Sequence, residues 1–446
     1  MTSELLILRK PLQLRFAMWK FVSLLFLPLL LISQDLEVRL ATKSTLKPIY
    51  LNDFGHAELR KVLEYDLNTN GFCTVIPKRD DLEKLIYLPD PRAHFDLACW
   101  KREKIPFCIA ARTCKNGLDV MVFNVENGTS KKYPVIPLER KAIHKLADTI
   151  QKDLFGKEGI ASQRLIFTKR THNGTENGHE WLSEVWVADS DGANAKQVTF
   201  EKSYCLSPYF LPNRNDEFFY VSEKSGQAKI YKSSLTNPKS ELMVDLRGNQ
   251  ALPSLSKNRS YLAFITDVAG RPDLFIQNMD EKGRALGKAR QLFSAPRATQ
   301  ATPTFSPDSK QIAFVSDKDG PPRIYLLNVG NSRSTRTPRP RLITRKNRQN
   351  TSPSWSPDGT KLAYSAKVDG VGQIWIYDFL TEEEIQLTKG PENKENPSWA
   401  PDSFHLVYNT ESEESCELYL IHLNQCDPIK INIGSGHYRF ASWESR

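Results

Sequence analysis

At 446 residues the chain exceeds the ~250–300 at which a single hydrophobic core stops growing, so more than one structural unit is expected. A composition of 40% hydrophobic and 25% charged residues, with 27 Pro and 22 Gly, excludes wholesale disorder and a glycine-rich fibre. The formal charge of +9 is confined to residues 1–33 and to the acid-free run Arg333, Arg336, Arg339, Arg341, Arg345, Lys346 and Arg348, which excludes a basic nucleic-acid-binding surface over a whole domain.

The N-terminus reads as an address label. Residues 21–32, FVSLLFLPLLLI, form an uncharged apolar run behind Lys20, too short and too broken by Pro28 for a membrane span. Positive residues, a short apolar stretch and the small Ser33 describe a secretory signal peptide cleaved near Ser33/Gln34, with Met18 as an alternative start. The mature chain then carries no transmembrane segment. The seven cysteines contain no C-x-x-C, which removes the usual thioredoxin-like and zinc-ribbon signatures. One or two disulfides in the first domain and simple burial both fit them.

Residues 47–51 and 72–76 read as strands around a helix over 57–67, and 107–111, 118–123 and 131–135 as further strands. A helix over 138–155 presents Ile143, Leu146, Ala147, Ile150 and Leu154 as one core stripe. This predicts a small α/β domain, with 156–162 as its joint to the second, larger part of the chain.

From there a repeat takes over. TPTFSPDSKQIAFVSD begins at Thr302, SPSWSPDGTKLAYSAK at Ser352 and NPSWAPDSFHLVYNTE at Asn396, with weaker copies from Ser207 and Leu252. The anchors Pro208, Pro253, Pro303, Pro353 and Pro397 are 45, 50, 50 and 44 residues apart. Each copy carries four short strand signals and a Ser-Pro-Asp turn, the signature of a β-propeller blade. Second-strand signals occur six times, near Leu165, Phe218, Leu262, Ile312, Leu362 and Leu406. The first of these lacks an anchor strand, while the last anchor, around Ala441, lacks a blade. The terminal strand is therefore expected to close blade one of a six-bladed ring, leaving no open edge.

The motifs of catalysis are missing: no G-x-S-x-G, H-E-x-x-H, P-loop or G-x-G-x-x-G occurs. His172 and His179 share a polar loop that reads as solvated. Asp308, Asp358 and Asp402 recur at one blade position and read as turn residues. Phe305, Trp355, Trp399 and Trp443 read as blade packing. The 332–348 run reads as a solvated loop, since no aromatic residue interleaves it to support base stacking.

A signal peptide (1–33), a small α/β domain (34–157) and a six-bladed all-β propeller (158–446) closed by its C-terminal strand resemble the TolB family. The joint GKEGIASQRLIF at 156–167 is similar to that family's passage into the first blade, and RFASWESR at 439–446 to its closing strand. The resemblance implies a non-enzymatic periplasmic adaptor of the Tol–Pal envelope system, with no cofactor and no metal, peripheral to the membrane and not bound to nucleic acid. It implies a Pal-like peptidoglycan-associated lipoprotein as partner at the propeller mouth, and a role in outer-membrane integrity and cell division. Inner-membrane Tol proteins are implied as partners of the N-terminal exchange segment Gln34, Asp35, Leu36, Glu37, Val38, Arg39 and Leu40. The loops entering the innermost strands supply the candidate contacts Asn249, Gln250, Ala251, Thr302, Thr351, Glu395, Asn396, His437 and Arg439. The competing reading is a periplasmic glycan or peptide binder, or a hydrolase-related propeller protein, that uses the channel.

Overall fold

The computed structural model describes residues 46–86, 95–174, 181–330 and 339–445. The leader, the 34–40 segment, His179 and the first half of the basic run lie outside the described residues.

The first layer is a five-stranded sheet in the order β2-β1-β3-β4-β5, from β1 (Lys47–Leu51), β2 (Cys73–Val75), β3 (Phe107–Cys114), β4 (Gly117–Asn124) and β5 (Thr129–Lys132). Strand β1 pairs in parallel with both β2 and β3, while β3, β4 and β5 form an antiparallel meander. Helices α1 (Ala57–Thr69) and α4 (Arg140–Phe155) bring Leu59, Leu63, Ile143, Leu146 and Ile150 onto one face of the sheet. Gly156 ends α4 in the left-handed conformation, as a C-terminal glycine commonly does. Two short helices, α2 (Asp80–Glu83) and α3 (Leu97–Arg102), cover the other face with Leu82 and Trp100. Neither carries enough helical period to be read from sequence. The last strand starts two and ends three residues earlier than the 131–135 expected, although Tyr133 and Ile136 still donate backbone N–H groups to Val120 and Leu118 of β4.

Six four-stranded antiparallel sheets come next along the chain. Their innermost strands are His437–Trp443, Cys205–Leu211, Gln250–Leu255, Gln300–Phe305, Asn350–Trp355 and Asn393–Trp399, for blades one to six. Blade one takes its innermost strand from the chain's end, paired antiparallel with Arg164–His172. The join is clamped by Arg164, whose Nε and Nη2 donate to the two Glu444 carboxylate oxygens at 3.0 and 2.8 Å. Between blades sit continuous apolar layers such as Phe264, Phe275, Leu255 and Phe219.

The Ser-Pro-Asp turns work locally, as their recurrence suggested. Ser306 Oγ donates to Asp308 at 2.6 Å, Lys310 N–H to the same carboxylate at 3.1 Å, and Gln311 N–H to Ser306 Oγ at 2.9 Å. Ser356–Asp358 and Ser256–Asn258 repeat the pattern. Asp402 does more: it holds His405 Nδ1 at 2.5 Å, and His405 Nε2 reaches back 2.8 Å to the Thr69 carbonyl of α1.

That contact belongs to a joint between the first layer and blades six and one. The Phe72 ring meets His422 at 5.3 Å and Phe404 at 6.2 Å, and His405 lies 4.5 Å from His422. Burial pushes the His422 imidazole down to about 2, and the neighbouring His405 adds to it. Burial opposes charge on His405 and Asp402 too, but their mutual attraction wins: His405 is raised, and Asp402 is held at about 2. Asp148 also favours charged His405, and Lys157 lies 5.2 Å over the Phe404 ring. Between about pH 5.5 and about 5, His405 is mostly protonated and Asp402 mostly ionised in both folded and unfolded chains, whereas His422 binds its proton only when unfolded. The contribution of His422 to stability is therefore expected to fall as the pH drops, by up to about 1.4 kcal/mol per pH unit, while Asp66, which burial raises to about 6, acts in the opposite sense. His422→Phe, which keeps a flat ring against Phe72 and Phe404, should flatten that slope in urea titrations run across the window.

Six cysteines, Cys73, Cys99, Cys108, Cys114, Cys205 and Cys416, are free thiols, four of them buried. None of these six is bridged, and Cys99 and Cys114 are only half-buried. Burial pushes the Cys73 thiol up to about 12.

Candidate functional site

The innermost strands surround an axial channel, and every one of them breaks at the same point. Ser207, Leu252, Thr302, Ser352, Asn396 and Phe440 have φ of 48°, 50°, 39°, 50°, 52° and 53°, in the left-handed region that non-glycine residues avoid. At each, the innermost strand advances three residues while its partner advances two, as at Ala301/Thr304 opposite Val315/Ala313. These are six β-bulges on one ring. Five are followed by proline, which has no N–H to leave unpaired where the ladder opens. Strain repeated at one level of all six blades is held by the surrounding sheets and fixes the channel wall.

From the bulges towards the Ser-Pro-Asp turns the channel encloses a cavity of about 380 Å³. Its wall carries hydroxyls at one level (Ser254, Thr304, Ser354, Ser398, Ser442) and prolines near the exit (Pro212, Pro307, Pro357, Pro401), with Lys257 and Glu444 as its charged residues. The aromatic positions expected as packing are packing: Phe305, Trp399 and Trp443 are buried, and Trp355 stacks on Phe379 at 4.8 Å.

The nine residues singled out from sequence lie at the N-terminal ends of the innermost strands or just before them. Only Thr302 and Asn396 reach the cavity wall. Asn249 is committed internally, its Nδ2 donating to Asp267 and its Oδ1 accepting from Ala228 N–H. Gln250 is fully buried and its amide donates to the Leu246 carbonyl at 3.0 Å. Ala251 is half-buried and Thr351 exposed. Asn396 bridges two neighbours, accepting from Ser352 Oγ at 3.1 Å and donating to Asn409 at 3.0 Å.

Glu395, His437 and Arg439 gather at the seam of blades six and one. Arg439 pairs with Glu411. Burial, with Glu411 beside it, pushes the Glu395 carboxyl up. Burial and the charges of Arg170 and Arg439 push His437 down. His437 meets the Trp181 ring edge-on at 5.1 Å, and the Arg170 guanidinium lies over Trp181 at 4.8 Å and Tyr204 at 5.8 Å.

Arg170, Trp181 and Tyr204 are the functional candidates that sequence reasoning missed. The repeat marks the segments before the innermost strands, yet antiparallel pairing returns each second strand to the same mouth. The pairs His437↔Arg170 and His172↔Trp181 put them there. Half-buried Trp, Tyr and Arg side chains clustered on a rigid rim are the chemistry of a protein-binding hot spot.

The TolB β-propeller domain model (PD40) matches residues 151–446. The protein named TolB homolog of Protochlamydia amoebophila (strain UWE25) is 42% identical over 380 residues, 80% of this chain and 81% of its own. The TolB homolog of Chlamydia pneumoniae is 45% identical over 309 residues, 69% of this chain and 70% of its own. Among solved structures, the TolB of Acinetobacter baumannii has a TM-score of 0.75 and covers 90% of this chain and 97% of its own, at 22% identity, a likeness of fold.

Proposed function

The chain belongs to the TolB family, the non-enzymatic propeller proteins of the Tol–Pal system, and on that premise we propose that it is an exported periplasmic adaptor. Its proposed partner at the channel mouth is a Pal-like peptidoglycan-associated lipoprotein. Its proposed partners through residues 34–40 are inner-membrane Tol proteins. Through both it would support outer-membrane integrity and cell division. The observation that carries the reading is the rim at blades six and one, where Arg170, Trp181, Tyr204, His437 and Arg439 offer aromatic and guanidinium surface on a rigid scaffold.

The test is capture from an envelope extract on the immobilised protein, with bound proteins identified by mass spectrometry. A peptidoglycan-associated lipoprotein is the expected catch. Trp181→Ala is expected to cut its recovery at least tenfold, the effect of losing ~1.4 kcal/mol or more of binding, while the melting temperature stays close to that of the parent. Capture of glycan or peptide alone, insensitive to Trp181→Ala, would favour the channel-binder reading instead.

A further inference from the structure

Where α4 meets the first outer turn of blade one, a buried histidine turns a free ring nitrogen towards two carboxylates. His144 is 2% exposed, and its Nδ1 lies 2.8 Å from Oδ2 of Asp66 on α1, itself 5% exposed. In the neutral ring, an ionised Asp66 keeps the proton on Nδ1 and leaves the lone pair on Nε2, the form a metal ion would select by displacing the proton of the imidazolium. That nitrogen is buried, has no hydrogen-bond partner among the described residues, and sits 3.9 Å from Asp191 Oδ2. One ligand atom each from His144, Asp189 and Asp191 falls within a 4.8 Å cluster.

The carboxylates are held in place by their own turn. Gly192 N–H donates to the Asp189 carbonyl at 2.9 Å, Ala193 N–H to Asp191 Oδ1 at 3.0 Å, and Asn194 Nδ2 to Asp189 Oδ2 at 2.7 Å. Arg140 pairs with Asp191. Three carboxylates, Asp66, Asp189 and Asp191, thus face His144 and the Arg140 guanidinium, an excess of negative charge that favours a cation. The Tyr65 hydroxyl is a further buried oxygen without a hydrogen-bond partner among the described residues, on the same helix as Asp66.

We infer that His144, Asp189 and Asp191 form a divalent-metal site of the zinc class that pins the α/β layer to blade one. One imidazole and two carboxylates suit Zn²⁺ in a tetrahedral arrangement, with water completing the shell. The Asp66–His144 pair is the carboxylate–histidine arrangement that orients metal-ligating imidazoles and sets their basicity. Arg140 and the turn N–H groups do not exhaust the carboxylates, since each offers about four lone-pair positions. The site is structural and independent of the rim, so neither reading stands or falls with the other.

The test is calorimetric titration of chelator-stripped protein with Zn²⁺, with Co²⁺ as a spectroscopic substitute. One equivalent is expected at ~1 μM or tighter, giving a Co²⁺ spectrum without thiolate charge-transfer bands and a melting temperature that rises with added Zn²⁺. Asp189→Asn leaves the Arg140–Asp191 pair intact and is expected to weaken binding at least tenfold and abolish the rise. Asp66→Asn, acting only through His144, is expected to weaken binding ~10–100-fold. A metal-free melting temperature of Asp189→Asn near that of the parent separates lost ligation from misfolding. Absence of binding, thiolate bands, or affinity unchanged in Asp189→Asn would overturn the site.

Discussion

Ending the chain at Gly436 is expected to abolish cooperative unfolding of the propeller. The deletion removes the innermost strand of blade one, and with it Tyr438, Ala441 and Trp443, which are 1%, 4% and 5% exposed in the closed ring. It strips the partner from Arg164–His172, leaving a long edge strand open to pairing with another chain. It also deletes Glu444, which clamps Arg164, and Ser445, whose hydroxyl accepts from Asn213 N–H at 3.0 Å and so ties the terminus to blade two. Losing two large buried aromatics alone costs about 6–10 kcal/mol, comparable with the whole stability of a typical domain. Calorimetry of the truncated chain should show no cooperative transition, and limited proteolysis should cut within blade one. Trp443→Ala, losing one anchor but keeping the strand, should retain the transition and lose about 3–5 kcal/mol.

The second large effect is expected at the joint. Gly71 has φ +74°, and a Cβ there would lie 2.1 Å from His422 Nδ1 and 2.3 Å from its Cε1. Gly71→Ala therefore combines a left-handed backbone cost of about 1–2 kcal/mol with overpacking of about 1–3 kcal/mol, because Phe72, Phe404 and His405 already surround the imidazole. The contrast is Gly55, with φ +78° and nothing among the described residues within 4 Å of its Cβ position, where alanine carries the backbone cost alone. Urea unfolding of the two variants should differ by the overpacking cost, and Gly71→Ala should release the α/β layer to protease first.

How much of the fold is legible in the sequence depends on how far apart the contacting residues lie. Each blade is a meander whose strands meet neighbours a few residues away, so turn chemistry and alternation recur visibly every 44–50 residues. Ring closure can be counted because the missing strand and the surplus strand are complementary. The joint is not legible: His405 meets Thr69 across 336 residues, and nothing local marks either as a partner of the other. The same holds for His144, whose ligand partners lie on a turn of blade one while a motif search looks for histidines at fixed short spacings. At the rim, the repeat shows the innermost strands converging, but only strand pairing reveals Arg170 and Trp181 opposite His437 and His172.

The adaptor account is tested most directly by titrating the purified protein with the soluble domain of its Pal-like lipoprotein in a calorimeter, alongside Arg170→Ala and Lys257→Ala, which stand at opposite mouths of the channel. The account predicts a one-to-one complex of ~1 μM or tighter, weakened at least tenfold by Arg170→Ala and unchanged by Lys257→Ala. No complex, or one weakened by Lys257→Ala and indifferent to Arg170→Ala, would contradict it.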